Sequence, residues 1–174
     1  MVFNMENFFE LQFEMKKDEV FIEAINDYPE QLIKIGKFIP EEPFNMRISE
    51  GKKYFDIIRF QDVFNFAISR RLYDILKKEN ITGWDAYKID IQNTQNDYYG
   101  FQVTGKSNNI LRPIKKGFVT GQNFDYSTWD GSDFFCPEGT MLIFCTQKVK
   151  DLFASNHITN VQFQDIKTVK WYNV

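Results

Sequence analysis

Residues 67–91, AISRRLYDILKKENITGWDAYKIDI, return in fainter form 77 positions later as FCTQKVKDLFASNHITNVQFQDI. A chain that carries one pattern twice must solve one packing problem twice, so this repeat constrains the fold more than any other feature. Ser69 aligns with Thr146, Arg71 with Lys148, Leu72 with Val149, Asp74 with Asp151, Ile75 with Leu152, Leu76 with Phe153, and Ile81-Thr82 with Ile158-Thr159. Each copy reads as strand, capped helix, tight exit, strand.

A Ser or Thr ahead of an apolar-periodic run can accept a hydrogen bond from an unpaired first N–H of the helix. Ser69 and Thr146 are therefore the expected N-caps, with the helices starting at Arg70 and Gln147. Leu72, Ile75 and Leu76, like Val149, Leu152 and Phe153, fall at i, i+3, i+4 and put one apolar stripe on each helix. Asn80 and His157 stand where a helix finishes in a left-handed turn, and Gly83 and Asn160 suit a second position of positive φ. Any strand–helix–strand unit carries such caps and stripes. The shared Ile-Thr after helices of equal length argues for a real repeat.

The 174 residues suffice for one domain with a full core, and Pro40 to Pro43 marks the candidate boundary of an N-terminal subregion 1–43. An apolar fraction of 43 % with 19 Phe, 8 Tyr and 3 Trp excludes disorder. A net charge of −3 gives no footprint for holding a phosphate backbone, so no nucleic-acid partner is expected. The first fifteen residues, MVFNMENFFELQFEM, have neither a basic leader nor an unbroken apolar run, and no stretch reaches the roughly 18 apolar residues of a membrane span. Two cysteines, Cys136 and Cys145, without CxxC spacing suit reduced thiols in a cytoplasmic protein, although spacing alone does not exclude a bridge.

Outside the repeat, period-two alternation marks strands at 9–15, 44–48, 54–60 and 98–103, with closing strands at 161–166 and 169–172. Residues 19–27 fit a short strand or a helical turn. Residues 32–39 have strand character, residues 105–109 read as a hairpin loop, and Pro113 demotes 110–114 to a sheet edge. The expected class is α+β, with short, mostly antiparallel strands and about two clear helices, each inside a repeated strand–helix–strand unit.

No catalytic, cofactor or metal motif stands out. The single histidine, His157, sits at a helix exit, and a Cys–His pair would have to use Cys136 or Cys145. Asp125, Ser127, Asp130 and Asp133 lack the spacing of a calcium loop, and Gly117, Gly121 and Gly131 do not form a phosphate-binding fingerprint. What remains is residues 120–139, TGQNFDYSTWDGSDFFCPEG, where aromatics and carboxylates crowd together. Phe124, Tyr126 and Trp129 among Asp125, Asp130 and Asp133 make a candidate patch for a basic protein partner. The competing expectation is that these rings fold inward over a core, because large exposed apolar patches are uncommon on monomers.

The blocks SRRLYDILKKENITGW, KYFDIIRF, AYKIDI and YYGFQVTG, with DYSTWDGSDFF and TQKVKDLFASNHITNVQF later, resemble an immunity-protein family of bacterial polymorphic toxin systems. The likeness runs over about residues 51–163 and rests on caps, stripes and turns. It implies a cytoplasmic protein that binds and neutralises a cognate protein toxin, performs no reaction and needs no cofactor; Asp125, Asp130 and Asp133 would then steer a toxin whose active face is basic. The matching positions Ser69, Leu72, Leu76, Ile81, Gly83, Asp130 and Asp133 carry over no binding role. Two other functions compete: a carbohydrate- or peptide-binding module stacking ligands on Tyr126 and Trp129, and an enzyme whose acids and His157 converge in an unrecognised site.

Overall fold

The structure is a computed structural model that describes residues 7–62, 64–111 and 116–173. The first half holds β1 (Phe8–Phe13), β2 (Phe21–Ala24), α1 (Glu30–Lys34), β3 (Phe44–Glu50), β4 (Ile57–Arg59), β5 (Phe66–Ser69), α2 (Arg70–Lys78) and β6 (Trp84–Ile91). Next come β7 (Tyr98–Val103), β8 (Lys106–Ser107), β9 (Ile110–Leu111), β10 (Gly117–Thr120) and β11 (Asn123–Phe124). The chain then continues through β12 (Phe134–Pro137), β13 (Ile143–Thr146), α3 (Gln147–Ser155), β14 (Val161–Asp165) and β15 (Lys170–Asn173). This is an α+β fold, rich in short, mostly antiparallel strands.

Both helices of the repeat begin where their sequences predict, at Arg70 and Gln147. They also end alike. Asn80 and His157 take φ of 50° and 56°. Each N–H there bonds the carbonyl three residues back, Lys77 or Ala154, while the next N–H, of Ile81 or Ile158, reaches Leu76 or Phe153 at 3.0 Å. This is the Schellman closure, and in both copies the residue after the turn is buried, as is the helical residue that receives its bond. Two local expectations need correction. Thr146 accepts no N–H of its helix: its hydroxyl donates to Asp133 Oδ1 at 3.1 Å, as that of Ser69 does to Asp56, but β-branching restricts its χ1. Asn160 has no positive φ; its amide instead donates to the carbonyl of Ile57 at 2.6 Å.

Strand pairing extends the repeat beyond what the sequence alignment reaches. In the first copy the order is β4-β5-β7-β6, inside a closed barrel completed by β2 and β3. In the second it is β12-β13-β1-β14, extended by β8 into a five-stranded sheet. The registers coincide: Ile57 faces Ile68 as Phe134 faces Cys145, and Phe66 faces Phe101 as Ile143 faces Leu11. Likewise Trp84 faces Val103 as Val161 faces Phe13. The strand that closes the second copy is thus the first strand of the chain, with β1 in the place that β7 holds in the first.

Between the two units lies one core, in which matching residues recur: Leu72 with Val149, Leu76 with Phe153, Ile81 with Ile158, Trp84 with Val161, and Phe101 with Leu11. Each sheet has a second apolar face, and each such face is covered by residues that have no counterpart in the other copy. Ile22, Ile33 and Met46, from β2, α1 and β3, pack on Ile58, Ala67 and Tyr98. Phe124 and Trp129 pack on Phe8, Phe135 and Phe144.

Residues 32–39 do not form the expected strand. Glu30–Lys34 is helical, since the Pro29 carbonyl accepts from Leu32 and Ile33, Glu30 and Lys34 suit the helix dipole, and Gly36 at φ 68° closes the turn. Residues 105–109 are likewise not a hairpin: β8 pairs in parallel with β12. Residues 21–24 resolve as strand β2. Among the described residues β9 pairs only with β11, and Pro113 lies outside them.

Denaturant melts should return about 2–5 kcal/mol for Leu76→Ala and a similar loss for Leu11→Ala, each a buried leucine in the shared core. Ser69→Ala should cost about 1 kcal/mol, since the Ser69 hydroxyl accepts from Leu72 N at 3.1 Å. A Leu11→Ala protein as stable as wild type would detach β1 from the second unit.

Candidate functional site

The loop between β11 and β12 is built on three aspartates that hold backbone. Asp125 precedes a 3-10 turn at Tyr126–Thr128, and its Oδ1 accepts from Ser127 N at 2.9 Å and Ser127 Oγ at 2.7 Å. Those two bonds from Ser127 hold its carboxyl below the usual carboxylate range. Asp130 does the same for Ser132, at 3.0 Å to N and 2.5 Å to Oγ, while its other oxygen takes Lys106 N at 2.8 Å. Gly131, at φ 84°, makes the turn between them and Asp133.

Asp133 has a larger task. Its Oδ2 accepts from Thr82 N at 2.9 Å, Thr82 Oγ1 at 3.1 Å and Lys148 Nζ at 3.2 Å, and its Oδ1 takes Thr146 Oγ1. Asp56 stands 77 positions earlier and holds the matching groups of the first copy, Ser69 Oγ at 2.6 Å and Arg71 at 2.5 Å. Asp133 thus joins the two copies; it is not a free rim charge.

The rings turn mostly inward. Phe124 is 1 % exposed and meets Phe8 at 5.3 Å edge to face, so it belongs to the core and is no surface anchor. Phe134 enters the central core against Phe101, and Phe135 packs edge-on to Phe8 and Phe144 and tilted against Phe124. Trp129 is half-buried, set edge-on to Phe8 at 5.0 Å, with its Nε1 donating to Ser132 O at 3.0 Å. Tyr126 remains 39 % exposed. Its phenol titrates above the ordinary range, first because of burial and then because of Asp165.

Of the residues proposed from sequence, the structure therefore keeps Asp125, Tyr126 and Asp130 at the surface, with part of Trp129. It adds Asp165 from β14, whose charge bears on the Tyr126 phenol, a relation that alternation in its own segment could not show. His157 is exposed at the left-handed exit of α3. The two cysteines are unpaired, and burial pushes both thiols up. Among the described residues no group of three or more His, Cys, Asp or Glu is placed to hold a metal ion, and no helix is long and apolar enough to cross a membrane.

No family model matches the chain, and no curated protein matches it. Function must be argued from the residues.

Asp133→Ala should destabilise by about 2 kcal/mol or more, because it strands the Thr82 N–H and the Thr146 hydroxyl where the copies meet. Asp125→Ala, on a fully exposed carboxylate, should leave the melting midpoint close to that of wild type. Thermal and denaturant melts of the pair test the division between junction and surface; equal midpoints would refute it.

Proposed function

We propose that this chain is a cytoplasmic immunity protein that binds and neutralises a cognate polymorphic toxin by contact, without chemistry of its own. The residue-level likeness of 51–163 to that family supports this function. The observation that carries it is Tyr126, a large ring left 39 % exposed next to Asp125 and within the field of Asp165, on a loop whose carboxylates are held by their own backbone. An aromatic with an apolar face and a polar tip, rimmed by acids, is the composition of an interface anchor for a basic partner. The turn beneath it is held by the Asp125–Ser127 hydrogen bonds, and a preorganised turn lowers the ordering cost of association. Trp129, packed edge-on against Phe8, contributes less of its ring than a stacking platform for a sugar would.

Steering by charge acts on the association rate and weakens with salt, whereas an anchor acts on dissociation. Binding of the toxin encoded by the adjoining gene should therefore be followed kinetically. Tyr126→Ala is expected to lose at least about 2 kcal/mol, mainly through faster dissociation. Asp125→Asn with Asp165→Asn, which keeps the backbone acceptors, should slow association and flatten its salt dependence. Unchanged kinetics in both folded variants would move the interface elsewhere; no binding by wild type would reject the toxin assignment itself.

A further inference from the structure

The two segments without a counterpart in the repeat meet at a cleft of about 460 Å³, a volume within the range of small-molecule sites. Lys34, Ile35 and Lys37 come to it from the end of α1, Lys106 and Asn108 from β8 and the turn after it, and Cys136 from β12. Lys106 Nζ ties the two sides together by donating to Ile35 O at 3.3 Å.

The charge here runs against that of the molecule. In a chain of net charge −3, three lysines line one cleft, and none of them has an ion-pair partner among the described residues; the Lys34 ammonium lies 5.9 Å from the Phe64 ring. Two carboxylates share the lining, Asp130 and Glu138. Both Asp130 oxygens already accept from Lys106 N and from Ser132. Ile35, Pro137 and the lysine stems supply apolar wall. Lysines left unpaired around a concave, partly apolar surface focus a positive potential on whatever enters it.

We propose that this cleft binds a small organic anion through its carboxylate or phosphate group, with Lys34, Lys37 and Lys106 as the cations that hold it. The site shares Thr128 and Asp130 with the aromatic loop but uses none of Asp125, Tyr126 or Asp165.

Cys136 lines the cleft and is half-buried, whereas Cys145 is fully buried, so the two thiols make a reporter and an internal control. Modification of the intact protein by an anionic and a cationic methanethiosulfonate, followed by mass, reads the field directly. The anionic reagent should be favoured at Cys136 by about tenfold relative to the ratio for free cysteine. That preference should collapse in Lys34→Gln/Lys37→Gln/Lys106→Gln and, in wild type, at 1 M salt, where the screening length is about 3 Å. Millimolar pyrophosphate and citrate, the phosphate and carboxylate arms, should slow labelling of Cys136 and raise the melting temperature of wild type. Protection by only one of the two assigns the headgroup. Equal reactivity toward the two reagents, or no protection and no melting shift with either anion, overturns the proposal; the salt series on wild type holds this test open if the triple variant does not fold.

Discussion

The fold depends on the contact between its two copies, and that contact is polar and reciprocal. Asn160 of the second copy donates to the carbonyl of Ile57 in the first, while Gly83, its counterpart, lies against the carbonyl of Phe134, the counterpart of Ile57. A Cβ on Gly83 would collide with that oxygen, so the two copies solve one close approach in two ways: an amide that bonds the carbonyl, and a glycine that makes room for it. Arg71 reaches the Asn156 carbonyl at 2.5 Å, and Lys148 the Asn80 carbonyl at 3.2 Å, each cation serving the end of the other copy's helix. Residue i meeting j while the counterpart of j meets that of i is the signature of a local twofold relation. Around it, Asp56 and Asp133 fix the start of each helix, and the shared apolar core fills the space behind.

Most of what could be read in the sequence obeys short-range rules. The starts at Arg70 and Gln147, the stripes and the exits at Asn80 and His157 are all set within four residues, and all appear in the structure. Thr146 differed although its hydroxyl, like that of Ser69, donates to an aspartate 13 positions earlier; what Ser69 lacks is the β-branch that restricts χ1. The place of β1 was not legible, since pairing between Leu11 and Ile143 leaves no local mark on either segment. Residues 32–39 misled because an apolar run interrupted by lysines fits a strand face as well as a turn of helix, and Pro29 and Gly36 decided the outcome.

The aromatic loop shows the same division. Its turns follow from Asp125, Asp130 and Gly131, whose short-range bonds the composition suggests. The fate of its rings does not, because Phe124 and Trp129 cover an apolar face made by Phe8 and Phe144, residues more than a hundred positions apart. Which ring stays outside is decided by where that face ends. Tyr126 sits at its margin, touching Phe8 and Phe124 on one side and water on the other.

A duplicated framework leaves individuality to the parts that are not duplicated. The matched strands and helices satisfy one another across the junction, and their inward side chains are committed to the common core. Residues 14–55 and 105–132 answer to a weaker demand: each must cover one sheet face, and beyond that its surface is free to vary. It is these segments that carry the exposed Tyr126 with Asp125, and the unpaired Lys34, Lys37 and Lys106. Because the acids are pinned by their own turns, their negative field is held in place without the entropy cost of ordering long side chains, whereas the lysines are long and only Lys106 is tied to backbone, at Ile35 O. Two surfaces of opposite sign on a framework that pairs with itself would serve the proposed recognition of a basic partner at one face and of a small anion at another.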